Sequence, residues 1–389
     1  MDTSKPHVIV IGAGFSGCAI AHDLCLRGFA TTVVERGDIA NGTSGRTHGL
    51  LHSGGRYCVT DPEAGIECIE ENLILKKIAS QCIEPNDGLF VALSDGDLEY
   101  APAFIEGAEK CGISAKKLTV SEALTLEPRL NSKILDAYLV PDGTFDPLRL
   151  AMAFAATAKL NGAKFYTYTD VIDLINDGKG NIIGVKVWDR HQDKRFDLYA
   201  DMVINATGAW AGQITKMVTA SVSVVPTPGI MVAYDQRLVQ RVINRLCEPD
   251  DGDILIPQRR MVVIGTTSFE ADDVDYIPVY PDQIALMFEK ACELVPDISK
   301  TKMRGAYMSS RPLLGSTTAG RSLSRTFKCF DHKDTDNIDG LVTLTGGKAT
   351  TCRVMAEKTV DVVCSKLGIH IPCTTKDVVL TSYRNYYIH

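Results

Sequence analysis

Residues 43–57 read Thr-Ser-Gly-Arg-Thr-His-Gly-Leu-Leu-His-Ser-Gly-Gly-Arg-Tyr, a Gly-rich stretch carrying two histidines, two arginines and a tyrosine. Histidine exchanges its proton near neutral pH. His52, in one segment with Arg56 and Tyr57, is therefore the first candidate for a general base, and His48 the second. A histidine on a Gly-rich turn also serves simply as a structural hydrogen-bonder, and that reading stays open for both. Far along the chain, Arg311 precedes Pro312, which favours extended backbone and fixes the direction of the side chain. Lys348 follows Gly346-Gly347. Arginine forks match the oxygens of a small anion and lysine adds a point charge, so Arg56, Arg311 and Lys348 are the cations that would gather one. Taken singly, each reads as a solvated surface cation. As a set they suggest a site.

Side chains so far apart need a frame, and residues 7–36 begin to supply it. His7 to Ile11 is a short β-branched apolar run, a buried strand. Gly12-Ala-Gly14-Phe15-Ser16-Gly17 then opens a helix running to about Arg27, ended by Gly28, and Thr31 to Val34 is a second strand finishing in Glu35-Arg36. That is the dinucleotide fingerprint in its required strand–turn–helix–strand context. Gly12 makes the tight turn, Gly14 admits a pyrophosphate to the backbone, and Gly17 lets helix and strand pack closely. The helix N-terminus offers free N–H groups and a positive dipole to phosphates. Glu35, 23 positions after Gly12, can accept from both hydroxyls of an adenosine ribose. On these residues alone NAD and FAD are equally open.

Composition bounds the rest. A chain of 389 residues suggests two domains, here interleaved. A net charge of −7 gives no general attraction to nucleic acid, so any anionic ligand must be met by locally placed cations. None of the 12 cysteines forms a C-x-x-C pair, and Cys18 and Cys25 fall on the first helix as small core residues. Such usage fits a reducing cytoplasm, and no ligand spacing supports a metal or iron–sulfur site within this chain. No run of about 18 apolar residues exists; the longest candidate, Val222 to Tyr234, is broken by Pro226, Pro228 and Gly229. The first strand begins within six residues, leaving no room for a signal peptide.

Further elements follow from periodicity. Pro62 to about Gln81 is a long helix with Ile66, Ile69, Leu73 and Ile78 at helical spacing. Leu89 to Leu93 is a strand; Glu99 to Cys111 and Val120 to Leu126 are helices. Asp146 is a natural N-cap for a helix with Pro147 at its first position. Phe165 to Leu174, Ile182 to Asp189 and Lys194 to Asn205 read as strands, the third ending in Ala206-Thr207-Gly208-Ala-Trp210. Met231 to Tyr234 and Met261 to Ile264 are strand candidates, and Pro281 to Leu294 is a helix. Leu341 to Thr345 is a strand that turns through Gly346-Gly347 into a helix from Lys348 to Lys366.

With these pieces in order the chain resembles the FAD-dependent glycerol-3-phosphate dehydrogenases of the D-amino-acid-oxidase superfamily, most closely the catalytic A-subunit type of the anaerobic enzyme. The fingerprint, the 43–57 segment, Asp142-Gly-Thr-Phe-Asp146-Pro147, Asn205-Ala-Thr-Gly208, Asp253-Ile-Leu-Ile-Pro257, Arg311-Pro312-Leu313, Gly346-Gly-Lys-Ala-Thr-Thr351 and Cys373-Thr-Thr-Lys-Asp-Val carry the likeness, which spans essentially the whole chain. It implies an α/β fold, with a discontinuous Rossmann-like FAD-binding domain (1–88, 141–220 and 305–389). An α+β substrate domain on an antiparallel sheet (89–140 and 221–304) is interleaved with it. It implies FAD as cofactor, with Gly346, Gly347, Lys348, Ala349 and Thr350 at the pyrimidine end of the flavin, where a helix dipole favours reduction. Thr43, Ser44, Arg46 and Thr47 would wrap the pyrophosphate and flavin edge, beside His48, Gly49 and Leu51. Val171, Ala206, Thr207, Gly208 and Trp210 would lie near the adenosine.

The same resemblance implies a role in glycerol metabolism. Hydride passes from C2 of sn-glycerol 3-phosphate to flavin N5, His52 takes the hydroxyl proton with Tyr57 assisting, and Arg56, Arg311 and Lys348 hold the phosphate. Members of this type continue into a cysteine-rich, iron–sulfur-type C-terminal domain, and this sequence ends before it. That departure leaves open how electrons leave the flavin; the resemblance itself implies partner subunits passing them to quinone, and a cytoplasmic protein that has no transmembrane segment and is open to peripheral membrane association. Two departures stand out. Respiratory single-subunit relatives carry a histidine in the segment matching Thr227-Pro-Gly-Ile-Met-Val232, where this chain has none between His191 and His332, and Pro228 replaces a lysine common in close relatives. These keep two alternatives in view: an L-2-hydroxyglutarate or other 2-hydroxy acid dehydrogenase, and a non-catalytic FAD-bearing subunit of an electron-transfer complex.

Overall fold

A computed structural model describes residues 5–220, 222–269, 273–315 and 326–388. Its first sheet has six strands in the order Phe327–Asp331, Leu341–Gly346, Met202–Asn205, His7–Ile11, Ala30–Val34 and Lys164–Tyr166. All neighbours run parallel except the first pair. Parallel strands need both faces covered. One face carries the helices Phe15–Leu26, Pro147–Leu160 and Cys352–Lys366, whose small and branched residues (Cys18, Ala19, Ala151, Ala155, Ala356 and Val360) let them pack closely. The other face is covered by a three-stranded antiparallel sheet, Thr169–Asn176, Ile182–Asp189 and Lys194–Tyr199, through Leu174, Val185 and Val187 against Ile9, Ile11 and Val203.

The second sheet has eight strands, in the order Met303–Leu314, Val224–Tyr234, Met261–Gly265, Ile254–Gln258, Val242–Arg245, Gly88–Ala92, Asp136–Val140 and Lys116–Leu118. It is antiparallel throughout, apart from the parallel pair of Val242–Arg245 with Gly88–Ala92. Helix Pro281–Leu294 closes one side through Met287, Ala291 and Leu294.

Three expectations change. The runs 165–174 and 194–205 are each two strands in two different sheets: Lys164–Tyr166 and Thr169–Asn176, then Lys194–Tyr199 and Met202–Asn205. The first break is Tyr168, whose φ of 52° turns the chain so that Thr169 N–H donates to the Glu35 carbonyl. The strand candidate Met231–Tyr234 is the end of a longer strand, Val224–Tyr234. Met261–Gly265 pairs only with its last three residues, so Pro226 and Pro228 lie where that side of the ladder asks for no N–H. Helix Pro62–Ile78 exposes Ile66 and Leu73 but buries Glu71 and Asn72. Glu71 meets Arg353 in a buried ion pair, and Asn72 faces the 43–57 segment, so polar partners override the apolar spacing.

Candidate active site

Gly17 shows why the fingerprint is what it is. A β-carbon there would lie 1.9 Å from the Gly12 carbonyl oxygen, so only glycine lets the helix start against the first strand. Gly12 itself has φ +100°, and a side chain on it would meet the Ala206 carbonyl. The N-cap residue, Gly14, has no side chain to cap this helix; Ser44 Oγ accepts from Phe15 N–H at 2.9 Å instead, and the first turn faces a cavity of about 780 Å³. At one end of that cavity stands Glu35. Its two carboxylate oxygens accept from Ala13 N–H (2.7 Å) and Gly37 N–H (2.8 Å), which fixes the group at the end of its strand. Val171, Ala206, Thr207 and Gly208 line the same end. Arg36 stacks on Trp210 at 4.6 Å, and both hydrogen-bond Asp275 from the second sheet's side of the cleft.

The other end holds the candidate chemistry. His48, His52, Arg56, Tyr57, Arg311 and Lys348 all line the cavity, next to Gly346, Gly347 and Ala349. Lys348 Nζ lies 5.2 Å from the Tyr57 ring, the Tyr57 and His52 rings are 5.1 Å apart, and the His52 and His48 rings 6.3 Å apart. The 50–53 backbone is clamped from three sides. Asn72 Nδ2 donates to the Leu51 and His52 carbonyls, His52 N–H donates to Thr350 Oγ1, and Ser53 N–H donates to Asp142 Oδ1 at 2.7 Å.

The hydrogen bonding of His48 fixes its tautomer. Its Nδ1 accepts the Leu50 N–H at 3.2 Å, so its own proton sits on Nε2 and it is a hydrogen-bond donor. Burial, helped by the Arg311 and Arg56 guanidiniums, pushes its pKa down to about 3. Each cation is held. Arg56 meets both oxygens of Asp253 (2.7 and 2.9 Å) and Asn244 Oδ1 (3.3 Å); burial alone would lower its pKa, but the Asp253 carboxylate outweighs that and the shift is upward. Lys348 lies 3.8 Å from Glu67, whose carboxyl burial pushes up against the pull of the lysine. Arg311 donates to the Thr227 and Thr267 carbonyls and to Thr266 Oγ1.

Thr43, Ser44, Arg46 and Thr47 also line the cavity, as do Gly12, Gly14, Phe15, Ser16 and Arg36. Gly17, Gly49, Leu51 and Thr350 do not line it. Gly17 packs beneath the turn, Gly49 against Phe145 and Gln258, Leu51 is in the core, and Thr350 is buried behind His52. The cavity-wall residues Asp275 and Ser309, and the partners Glu67 and Asn244, carry no local motif and come together only through the fold; Asp253 opens the Asp253–Pro257 motif, which gives no sign that it pairs with Arg56. Among the described residues no group of side chains is arranged to hold a metal, and no helix is long and apolar enough to cross a membrane.

Residues 7–360 match the family model of FAD dependent oxidoreductases, and the chain belongs to that family. FAD is its cofactor. Within the family the chain belongs with the A-subunits of anaerobic glycerol-3-phosphate dehydrogenase. It is 42% identical over 383 residues to the A-subunit of Escherichia coli K12, covering 97% of this chain and 70% of that protein. It is 40% identical to the A1-subunit of Haloferax volcanii, covering 98% and 67%. The glycerol-3-phosphate dehydrogenase of Bacillus halodurans, solved with FAD, superposes with a TM-score of 0.74 at 25% identity, covering 98% of this chain and 68% of that one. The residues fit the cofactor: a turn at 12–17 in which Gly12, Gly14 and Gly17 carry no side chain, an oriented carboxylate for a ribose, and one cavity joining them to Gly346-Gly347.

Proposed function

We propose that this chain oxidises sn-glycerol 3-phosphate to dihydroxyacetone phosphate and that its electrons leave through a partner subunit toward quinone. The observation that carries the reading is the gathering of His52, a tyrosine and three cations in the lining of one cavity that also holds the Gly346-Gly347 turn. Bound FAD supplies the hydride acceptor. Arg56, Arg311 and Lys348 hold the phosphate, and His48 donates a hydrogen bond as a neutral ring. His52 takes the C2 hydroxyl proton, with Tyr57 beside it. Met231, on the cavity wall where some relatives carry a histidine nearby, is apolar and leaves that proton to His52.

The two sheets support the division into an FAD domain (1–88, 141–220, 305–389) and a substrate domain (89–140, 221–304), although Met303–Leu314 runs in the second sheet. The names of the two relatives at 40–42% identity, each that of one lettered subunit, support a multi-subunit assembly, and a cytoplasmic, membrane-peripheral location goes with a quinone acceptor. The test is anaerobic addition of sn-glycerol 3-phosphate to the purified flavoprotein. Bleaching of the flavin's visible absorption is expected. Bleaching by 2-hydroxy acids alone would replace the substrate, and bleaching by neither would remove the catalytic reading.

A further inference from the structure

The Asp142-Gly-Thr-Phe-Asp146-Pro147 motif reaches the anion end of the site without touching the cavity. Asp142 is buried. One carboxylate oxygen accepts from Ser53 N–H at 2.7 Å, and the other from Asn244 Nδ2 at 3.3 Å. Asn244, fully buried, turns its Oδ1 to Arg56 Nη1 at 3.3 Å. Only one amide orientation satisfies both neighbours, because a carboxylate accepts and a guanidinium donates. The carboxylate of Asp253 takes the other guanidinium nitrogen. The Arg56 fork is thus fixed on two sides, and the orientation of one side is dictated from Asp142.

We propose that Asp142, acting through Asn244, is a positioning residue that sets the direction in which Arg56 meets the anionic group of the substrate. The proposal rests on the reading above that Arg56 holds that group. Asp142→Asn gives it a sharp test. Ser53 N–H keeps the remaining oxygen, so the new amide nitrogen faces Asn244 donor to donor. The Asn244 amide must turn and present its own N–H₂ to Arg56. Removing a negative charge would, by field alone, strengthen anion binding; misplacing Arg56 weakens it. The two effects have opposite signs.

The experiment measures inorganic phosphate affinity from the change it causes in the flavin spectrum, a readout that needs no turnover. The FAD-loaded full chain is used as wild type, D142N, N244A, R56A and the doubles D142N/R56A and N244A/R56A. Phosphate affinity is expected to fall about tenfold in D142N and N244A and about a hundredfold in R56A. Each double should bind no more weakly than R56A alone, since the buried pair acts through that guanidinium. KM for sn-glycerol 3-phosphate should rise more than kcat falls. Unchanged or tighter phosphate binding in D142N, additive doubles, a wild type that shows no response to phosphate, or variants that lose FAD would each overturn the proposal. If phosphate affinities behave as expected but the wild type does not oxidise sn-glycerol 3-phosphate, the substrate reading fails and the positioning role stands.

Discussion

Two histidines stand 6.3 Å apart in this site, and the hydrogen bonding of one disqualifies it as the base. His48 uses its Nδ1 lone pair on Leu50 N–H, and burial between two guanidiniums lowers its pKa from 6.5 to about 3. At pH 6 a shift of that size leaves about one ring in a thousand charged, so any loss of rate between pH 8 and 5 has another origin than His48. Replacing His48 by Gln should keep the acid limb of kcat/KM where it is and lower the rate by about tenfold, the worth of one hydrogen bond to a charged partner. Replacing His52 by Gln should remove the acid limb and lower kcat by about 10²- to 10⁴-fold, the usual contribution of a general base. The assay is turnover of sn-glycerol 3-phosphate with an artificial electron acceptor across that pH range, at matched FAD content. An acid limb that vanishes in H48Q, or an H52Q enzyme within tenfold of wild type, would refute the assignment.

Other consequences are equally concrete. Gly17→Ala drives a methyl into the Gly12 carbonyl, and the purified protein should carry far less FAD per chain than wild type by absorbance ratio. His22 is buried on the first helix, and among the described residues its ring nitrogens have no hydrogen-bond partner; burial lowers its pKa to about 4. Because the folded pKa lies below the unfolded one, its contribution is intact above pH 6.5 and falls as pH drops toward 4. His22→Leu should remove about 2 kcal/mol of acid destabilisation at pH 5 and none at pH 7.5, measured by denaturant unfolding. Arg353→Met strands the buried Glu71 carboxylate and should lower stability by about 3–5 kcal/mol in the same experiment. Glu67→Gln takes the carboxylate from beside Lys348 and should tighten inorganic phosphate binding about three- to tenfold; unchanged affinity would place the anion away from that lysine.

The cofactor half of the site was legible because its signal is local. Gly12, Gly17 and Glu35 act within one strand–helix–strand unit, where turn geometry and spacing fall in a single window of sequence. The His48–Tyr57 segment was legible by residue type, although type and spacing only ranked His52 ahead of His48 and left a structural role open for both. A backbone N–H two residues away separates them, and that depends on how the Gly49 turn is folded. The helix read from Pro62 to about Gln81 ends at Ile78, and its inward face keeps Ile69 and Ile78 but takes Glu71 and Asn72, which point to Arg353 and to the His52 carbonyl, in place of Ile66 and Leu73. Strand breaks at Tyr168 and between Tyr199 and Met202 escaped for a similar reason. Both runs stay apolar enough to look continuous, and the break is set by which sheet each half joins.

What the sequence hid most completely is the charge balance of the anion end. A buried guanidinium or ammonium is tolerated only when it is paired and hydrogen-bonded. The partners of Arg56 come from Asn244 and Asp253, nearly two hundred residues away, and that of Lys348 from Glu67 on the helix Pro62–Ile78. Counting cations along the chain therefore overstates the positive field that an incoming phosphate meets. Arg56 and Lys348 already have carboxylates beside them, so the anion competes for them rather than finding them bare. Such a site favours a ligand that brings fixed, forked acceptors to pre-aimed donors over one that brings charge alone. For that reason the direction of the Arg56 fork, and the buried polar string that sets it, should govern selectivity more strongly than the number of basic residues around the cavity.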